Sequence, residues 1–389
     1  MALKCRFIQN ELSELESCNL YRTLNIISTD GSFAKVNGRR VIDLSSSDYL
    51  GLSRNTSIID ETLQSVRQLS QCSSRLVAGN HPNFLTLEGL LAKHRQTESA
   101  LIYPTGYMAN LGVISAIADK HTTIFSDELN HASIIDGCRL SGATIKIFRH
   151  NDISHLEQLM RMSKKARKII VTEGLFSVDG DISDLRSICK IAQEHDALMI
   201  VDDAHGDFIF GTTNSFSGVP SHLRVGNEID INVSSMSKAL GCFGGYVACS
   251  SSVMKFLVNK SRPFIYTSAL PAYLCTAAVA ALQIVKNGKF QRKLFVNIDT
   301  FSKRLQKIGF RLGRTNSQII PVTIGPEKLS VHFSSDLLKR GIFAPAIRYP
   351  TVKKGFAALR FCITSLHNKN QLVRAIDAIE ETAKRYNII

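Results

Sequence analysis

A single lysine stands among small and hydroxylated side chains in the stretch SSMSKALGCFGG, Ser234 to Gly245. This residue, Lys238, follows the apolar run IDINV and precedes a cluster of glycines. Another apolar run, LMIV, ends at an acid, Asp202, and His205 comes three residues later. A lysine amine can form a Schiff base with an aldehyde, and a carboxylate can keep a ring nitrogen protonated. The two residues therefore predict chemistry on pyridoxal phosphate, a pyridine that carries an aldehyde.

The phosphate of such a cofactor needs hydroxyl groups and the backbone N–H groups of a helix start. The segment PTGYMANLG, Pro104 to Gly112, follows the apolar run ALIY and offers such a start. Each candidate residue also has an ordinary interpretation, since Asp202 can cap a helix and His131 or His205 can be hydrogen-bonded core histidines. Their joint order along the chain favours the catalytic interpretation.

Short strands alternate with helical patterns through the middle of the chain. The predicted strands are TTIFSD, TIKIFRH, KIIVTEGLF, LMIVDDAH, IDINVSS and GGYVACS. This alternation is typical of an α/β fold with a largely parallel sheet and helices on both faces. Sites in such sheets lie beyond the carboxyl ends of the strands. The polar residues that follow four of these strands are Asp127, Glu173, Asp202, Ser234, Ser235 and Lys238. We expect these strand ends to converge on one pocket.

The pattern changes after about Gln283. Helical FSKRLQKIGF, strand-like SQIIPVTIG, helical LSVHFSSDLLKRG and the segments IFAPAIRYPTV and ALRFCIT form an α+β pattern. A chain of 389 residues with 44% hydrophobic and 21% charged content has room for two domains. We predict an N-terminal segment at 1–45, a large cofactor-binding domain at 46–283 and a small C-terminal domain at 284–389.

The net charge is +14, but the basic residues are spread out. The densest groups, MSKKARK and TVKK, lack the interleaved aromatic residues of a nucleic-acid groove. The charge favours a phosphorylated substrate or an acidic carrier protein instead. The N-terminus lacks the apolar core of a secretory signal, and TSALPAYLCTAAVAALQIV, which contains Pro271, is more typical of a buried helix than of a membrane span. We predict a cytoplasmic protein with no nucleic-acid or membrane partner.

Nine cysteines are scattered along the chain without a C-x-x-C pair, and no histidine stands at metal-ligand spacing. We therefore predict reduced thiols and no metal site. A dinucleotide-dependent oxidoreductase would need G-x-G-x-x-G between a strand and a helix, and the sequence has none. A non-catalytic basic binding protein on a degenerate enzyme fold predicts loss of Lys238 or Asp202, and both are present.

An ordered set of motifs resembles the α-oxoamine synthases, a family of fold-type I pyridoxal-phosphate enzymes. The motifs are SSSDYLGL, YPTGYMAN, LNHASIIDGCRLSGA, VTEGLFSVDGDISDL, LMIVDDAHG, SSMSKALG with GGYVA, RPFIYTSALP, and AIRYPTV with ALRF. The resemblance runs from about Tyr21 to the C-terminus. It implies a mostly parallel central sheet with helices on both faces and a smaller C-terminal α+β domain.

The resemblance also implies roles for individual residues. Lys238 would hold the cofactor as a Schiff base, Asp202 would pair with the pyridine nitrogen, and His205 would reach the phenolic oxygen. His131 would stack on the ring. The residues implied to bind the phosphate are Gly106, Tyr107, Ser177, Ser235 and Thr267. Of these, Thr267 is similar to a contact that the partner subunit supplies, so the resemblance implies a homodimer.

The reaction implied by the resemblance is a decarboxylative condensation of an amino acid with an acyl thioester, carried by CoA or by an acyl-carrier protein. The residues implied to contact substrates are Arg22, Ser47, His131, Arg348, Thr351 and Arg360. The guanidinium fork of Arg360 suits the amino-acid carboxylate geometrically. A basic Arg22 or Arg348 would meet a distal carboxylate or its ester.

The motifs also bear on the choice of substrates within the family. VTEGLFSVDGD, VDDAHG, RPFIYTSALP and AIRYPTV are most similar to the member that joins alanine to a pimeloyl thioester. NHASIIDGCRL is as similar to the member that joins glycine to acetyl-CoA. The chain departs from the first pattern by Ser47 in place of asparagine, by Phe84 in place of a common histidine, and by a loop, DFIFGTTNSFSG, without the usual glycines. Cys242 and Phe243 also crowd the turn after Lys238. These departures bear mainly on acyl specificity.

Overall fold

The computed structural model describes residues 3–212, 215–313 and 316–389. The strands are β1 (Ile27–Asp30), β2 (Phe33–Val36), β3 (Arg39–Asp43), β4 (Ser99–Tyr103), β5 (Thr122–Asp127), β6 (Thr144–Phe148), β7 (Arg167–Glu173), β8 (Ala197–Asp202), β9 (Ile231–Ser235), β10 (Gly245–Cys249), β11 (Ile319–Gly325), β12 (Ile342–Phe343), β13 (Ala346–Ile347) and β14 (Ala357–Cys362).

The α-helices are α1 (Arg6–Ser17), α2 (Thr56–Ser65), α3 (Pro82–Arg95), α4 (Gly106–Ile117), α5 (Ala132–Ser141), α6 (Ile153–Arg161), α7 (Leu185–Glu194), α8 (Gly218–His222), α9 (Ser251–Lys260), α10 (Arg262–Ile265), α11 (Ala272–Val285), α12 (Lys289–Lys307), α13 (Glu327–Lys339) and α14 (Lys369–Arg385). Shorter 3₁₀ turns are formed by Leu3–Cys5 and Gly226–Glu228, and Arg75–Gly79 is a π-helix.

The chain divides into two compact units. The central unit contains Leu50–Ser177 and Ile182–Phe290, and the terminal unit contains Met1–Tyr49, Val178–Asp181 and Gln291–Ile389. The N-terminal residues therefore belong to the same compact unit as the C-terminal ones. The domain boundaries after residues 45 and 283 stay predictions beside this division.

The central unit is built on a seven-stranded sheet in the order β4-β10-β9-β8-β7-β5-β6. Strands β9, β8, β7, β5 and β6 pair in parallel, and β10 is antiparallel to both β9 and β4. Every residue of β5, β9 and β10 is buried, as expected for a sheet covered on both faces. All six predicted strands are confirmed, and so is the α/β class.

The turn between β9 and β10 carries Lys238. The Met236 N–H closes its base by donating to the Gly244 carbonyl at 2.9 Å. β10 then passes so close to the start of α4 that a Cβ on Gly245 would lie 2.3 Å from the Gly106 nitrogen. A residue without a side chain is therefore required where the strand meets the helix.

The terminal unit contains two smaller sheets. One has four strands in the order β1-β2-β3-β12, and the other has three antiparallel strands in the order β11-β14-β13. The helices α13 and α14, and α12 from Gln291 onward, belong to the same unit. The predicted C-terminal α+β elements are all confirmed.

The apolar segment near Pro271 forms α11, which lies largely buried in the central unit. Among the described residues, no helix combines the length and the apolar character needed to cross a bilayer. The nine cysteines are free thiols, and six of them are buried like small apolar side chains.

A substitution at the strand–helix contact tests this packing. We expect Gly245→Ala to lower the free energy of unfolding by about 1–3 kcal/mol, because the added methyl group meets backbone atoms that cannot move aside. The matched control is Gly89→Ala on the exposed face of α3, where an added Cβ meets nothing within 4 Å. Replacing a helical glycine there should raise stability by about 0.5–1 kcal/mol. Urea unfolding of both variants measures the difference, and equal effects would contradict the packing argument.

Candidate active site

The carboxylate of Asp202 lies buried at the end of β8. Its Oδ1 accepts the Ala204 N–H at 3.0 Å, and its Oδ2 accepts an amide hydrogen of Asn110 at 2.6 Å. The same Asn110 amide donates to the Ser133 hydroxyl at 2.9 Å. The carboxylate is therefore fixed in place by a loop N–H and by a side chain of α4.

The charge of this carboxylate and the charge of Lys238 both act on the His131 ring. Lys238 is half-buried in the turn after β9, next to β8 in the sheet. The His131 ring has a large accessible area, yet surrounding protein atoms desolvate it enough to lower its pKa. The charge of Asp202 opposes this shift, and the charge of Lys238 adds to it. The imidazole is therefore neutral at pH 7.

His131 is also the N-terminal cap of α5. Its Nδ1 accepts the Ser133 N–H at 3.2 Å, and the Ser133 hydroxyl lies 2.7 Å from the same atom. A nitrogen that accepts a backbone N–H carries no proton in the neutral ring, so the ring proton is assigned to Nε2.

The start of α4 forms a cradle suited to a phosphate. Thr105 caps the helix by accepting the Met108 N–H at 3.1 Å. The first N–H groups of a helix have no intrahelical partner, and they favour anions. A Cβ on Gly106 would lie 3.1 Å from the Ser235 Cβ, so Ser235 faces the helix start.

The remaining predicted cofactor residues also lie in the central unit. The Tyr107 hydroxyl donates to Asp136, which raises the pKa of the tyrosine. His205 is buried in the turn after β8. The Ser177 N–H donates to the Glu173 carboxyl group at 3.1 Å, and Thr267 is half-buried after α10.

These residues fit pyridoxal phosphate. A lysine and a fixed buried carboxylate stand near a helix start whose first residue has no side chain. This set can hold an aldehyde, a ring nitrogen and a phosphate.

The predicted substrate residues other than His131 lie in the terminal unit. Arg360 donates to the Tyr49 hydroxyl at 3.5 Å, and Ser47 also bonds to that tyrosine side chain. Burial raises the pKa of Tyr49, so it stays a neutral phenol at neutral pH.

Arg22 and Arg348 lie close together near the chain start. Arg22 donates to the Tyr349 carbonyl at 3.4 Å, and Arg348 donates to the carbonyls of Asn19 and Tyr21. Burial lowers the pKa of Arg348, and the like charge of Arg22 lowers it further. The Thr351 N–H donates to the Arg348 carbonyl at 3.0 Å. The carboxylate of Glu327 acts in the opposite direction and raises the pKa of Arg348.

Two polar residues at the predicted strand ends are engaged elsewhere. Asp127 accepts the N–H groups of Leu129 and Asn151 at 2.9 and 3.1 Å and contacts the His150 ring at 3.0 Å, so it organises its own loop. The Ser234 hydroxyl donates to Asp207 at 2.7 Å, whereas Ser235 faces α4. Successive strand residues point to opposite faces, which explains this division.

The sequence reasoning missed a buried ion-pair network around Arg95. Its guanidinium donates to Asp203 at 2.9 Å and to the Tyr246 hydroxyl at 2.9 Å, and it lies 3.1 Å from Asp207. His94 contacts the other oxygen of Asp207 at 2.8 Å. Asp203 and Asp207 flank His205 in the sequence, so the network braces the turn that carries it.

The two acids in this network differ in protonation. Burial raises the pKa of Asp203 to about 7, against the opposing charge of Arg95. Burial also acts on Asp207, but Arg95 and His94 outweigh it and lower the pKa of this acid to about 2. The acid pair was visible in DDAHGD, but nothing in the sequence pointed to the cation in α3.

The residues that depart from the family pattern have different surroundings in the structure. Phe208 has φ +63°, the left-handed region that favours glycine, and its ring stacks on His94 at 4.4 Å. Phe84 is fully buried, with the Arg75 guanidinium 4.5 Å above its ring. Cys242 is buried, whereas Phe243 is exposed. Residues 213 and 214 of the altered loop lie outside the described residues.

Comparison with known proteins gives consistent matches over the whole length. Residues 39–379 match the family described as aminotransferase class I and II. The chain is 39% identical over 389 residues to an 8-amino-7-oxononanoate synthase of Thermoanaerobacter pseudethanolicus, with 98% of each chain covered. It is 36% identical to 8-amino-7-oxononanoate synthase 1 of Bacillus subtilis, with 100% of each covered.

Among solved structures, a serine palmitoyltransferase variant of S. paucimobilis with a bound pyridoxal phosphate–myriocin adduct is similar. Its TM-score is 0.93 at 26% identity, with 100% of both chains covered. These similarities confirm the predicted fold type I of pyridoxal-phosphate transferases.

The Arg95 network gives a stability prediction. We expect Arg95→Met to lower the free energy of unfolding by about 3–5 kcal/mol, because it leaves buried carboxylates without their cation. The control is Arg139→Met, whose guanidinium is exposed and lies 3.8 Å from Asp136. An exposed pair of this kind should contribute less than about 1 kcal/mol. Urea unfolding distinguishes the two, and a small loss for Arg95→Met would contradict the bracing role.

Proposed function

The chain belongs to the aminotransferase class I and II family, and from this premise we propose that it is an 8-amino-7-oxononanoate synthase. In this reaction of biotin biosynthesis, the pimeloyl group joins the α-carbon of L-alanine. The thiol leaves with a proton, and the alanine carboxyl group leaves as carbon dioxide. The curated relatives that match the chain from end to end are named 8-amino-7-oxononanoate synthase, and these names support the assignment.

One observation carries the proposal. Asn110 donates both to the Asp202 carboxylate and to the Ser133 hydroxyl, which bonds to the His131 ring, and Lys238 follows β9, the strand paired with the end of β8. The acid, the imidazole and the amine therefore stand at one edge of the sheet. This is the set that the chemistry of an amino acid on pyridoxal phosphate needs.

Pyridoxal phosphate, when bound, supplies an electron sink for negative charge at the α-carbon. We assign Lys238 to hold its aldehyde carbon and Asp202 to keep its ring nitrogen protonated. His205 would meet the phenolic oxygen. The groups assigned to the phosphate are the N–H groups of Gly106 and Tyr107, the hydroxyls of Ser177 and Ser235, and Thr267 of a second copy of the chain.

The remaining roles concern the substrates. The Nζ of Lys238 takes the α-proton of the amino acid and returns a proton to the product, while the neutral His131 ring packs over the reacting carbon. Arg360 holds the amino-acid carboxylate, and Ser47 lies on the acyl side. Arg22 and Arg348, with Thr351, face the distal carboxylate of the pimeloyl group or its ester. The like charges of Arg22 and Arg348 suit an anionic partner at this position, and the carboxylate of Glu327 acts on Arg348 as well.

The expected assembly is a homodimer, since the assignment above gives Thr267 to the phosphate bound by a second copy of the chain. The expected location is the cytoplasm. The acyl donor is pimeloyl-CoA or a pimeloyl acyl-carrier protein. The net charge of +14 suits either anionic carrier.

A second candidate is glycine C-acetyltransferase, which joins glycine to acetyl-CoA. The motif NHASIIDGCRL favours it as much as the first function. A non-catalytic binding protein would not require Lys238 and Asp202, both of which are present.

Covalent attachment of the cofactor is the first test. The purified protein with pyridoxal phosphate should show a long-wavelength absorption band, and borohydride should fix the cofactor to the chain. We expect Lys238→Ala to lose borohydride fixation and to lose activity by about a hundredfold or more, because attachment of the cofactor and transfer of the α-proton both need the amine. Mass spectrometry after reduction measures this. Lys255→Ala, at an exposed position of α9, is the control. Fixation at another lysine would refute the assignment.

A substrate panel tests the choice of amino acid and thioester. Thiol release is measured for alanine, glycine and serine, each with pimeloyl, acetyl and palmitoyl thioesters. Among the pimeloyl reactions, we expect alanine to turn over fastest. For alanine, we expect kcat/KM with the pimeloyl thioester to exceed that with the acetyl or palmitoyl thioester by at least about tenfold, since a carboxylate bonded to arginine contributes about 1.5–3 kcal/mol. Arg22→Gln should reduce this preference. Faster turnover of glycine with acetyl-CoA would select the second candidate.

A further inference from the structure

Glu173 is a buried acid beside Asp202 that has no assigned role in the reaction. It ends β7, and its Cα is the direct partner of Asp202 in the pairing of β7 with β8. The carboxyl group is almost fully enclosed, with the residue 2% exposed. Two carboxyl groups therefore lie next to each other at the site where the ring nitrogen is expected.

The two oxygens of Glu173 have different surroundings. Oε2 accepts the Ser177 N–H at 3.1 Å. Oε1 is buried and has no hydrogen-bond partner within the described parts of the chain. A buried oxygen without a hydrogen-bond partner costs an ionised carboxylate much more than a neutral carboxyl group, because burial penalises the charged form most.

The charges around Glu173 favour the protonated form. Burial raises its pKa well above the usual value, and the neighbouring charge of Asp202 raises it further. Lys238 and the N–H groups of Ser177 and His131 act in the opposite direction and lower its pKa, but they do not outweigh burial. The titratable groups that face it come from β8, from the turn after β9 and from the start of α5. Two adjacent buried carboxylates do not both ionise readily.

We propose that Glu173 is a positioning residue that stays a neutral carboxylic acid at neutral pH, so that Asp202 is the anion left for the ring nitrogen. The inference rests on the proposed function for its consequence, but the protonation itself is a property of the protein chain. If Glu173 were ionised, its negative charge would disfavour the ionised form of Asp202, because the buried site holds one negative charge more readily than two. Its Oε2 also accepts the Ser177 N–H, which ties the end of β7 to the turn that follows it.

The first test uses the protein without cofactor. The folded chain keeps the Glu173 proton between the ordinary pKa of glutamate and the raised value, whereas the unfolded chain loses it. The wild type should therefore lose stability relative to Glu173→Gln as the pH rises from about 5 to 8. The ratio of the wild-type folding equilibrium constant to that of the variant should fall by up to about tenfold for each pH unit. Urea unfolding of both proteins measures this ratio. Glu194→Gln, an exposed change near Lys190, should give a constant ratio.

Infrared spectroscopy gives a second measurement that needs no variant. With isotope-labelled glutamate, the wild-type apoprotein should show a protonated glutamate carboxyl band at neutral pH, and the label separates it from Asp203. A flat stability ratio, or the absence of this band, would overturn the proposal.

The loaded enzyme provides the positioning test. The pH titration of its long-wavelength band should keep its midpoint within about 0.3 pH unit in Glu173→Gln, because no charge has been removed. Glu173→Leu is also neutral but accepts no hydrogen bond from Ser177, and it should weaken pyridoxal phosphate binding by about tenfold. Asp202→Asn should alter the band strongly. A midpoint in Glu173→Gln displaced by a full unit would show an ionised Glu173 and refute the proposal. A wild type without any band would count against the proposed function, since the apoprotein titration does not involve the cofactor.

Discussion

The opposite charges of Asp202 and Lys238, at the ends of two adjacent parallel strands, are the constraint around which the central unit is arranged. A buried carboxylate is costly unless donors and a cation compensate it. Ala204 and Asn110 supply the donors, and Lys238 stands in the turn after β9, the strand next to β8. Asn110 lies four residues after Gly106 on α4, and residues at this spacing share a helix face. One helix therefore fixes the carboxylate and carries at its start the N–H groups that favour anions.

Strand alternation separates this site from a second buried network. Asp202 and Ser235 face α4, whereas Asp203 and Ser234 turn towards Arg95 and Asp207. The first set is left for a ligand, and the second is neutralised within the protein. Asp202 and Asp203 are therefore neighbours in the sequence, but their side chains lie on opposite faces of the sheet and not in one cavity.

The sequence allowed prediction of what depends on local patterns. The six strands of the central sheet followed from short Ile- and Val-rich runs, and Asp202 and Lys238 followed from the rule that sites lie beyond strand ends. The roles of individual residues came from the family resemblance. Arg95 was not predicted because it is separated from Asp203 by 108 residues and stands on a helix with no local signal. The left-handed conformation of Phe208 was missed because no local sequence signal marks it, and its ring stacks on His94, a residue far away in the sequence.

The short contact at Gly245 joins the lysine-bearing hairpin to the start of α4. Backbone meets backbone there, and the hairpin base is closed by the Met236–Gly244 hydrogen bond. The hairpin that carries Lys238 and the start of α4 are therefore in direct backbone contact. If Lys238 holds the cofactor as proposed, its amine would move during the reaction only by torsion of the lysine methylene chain.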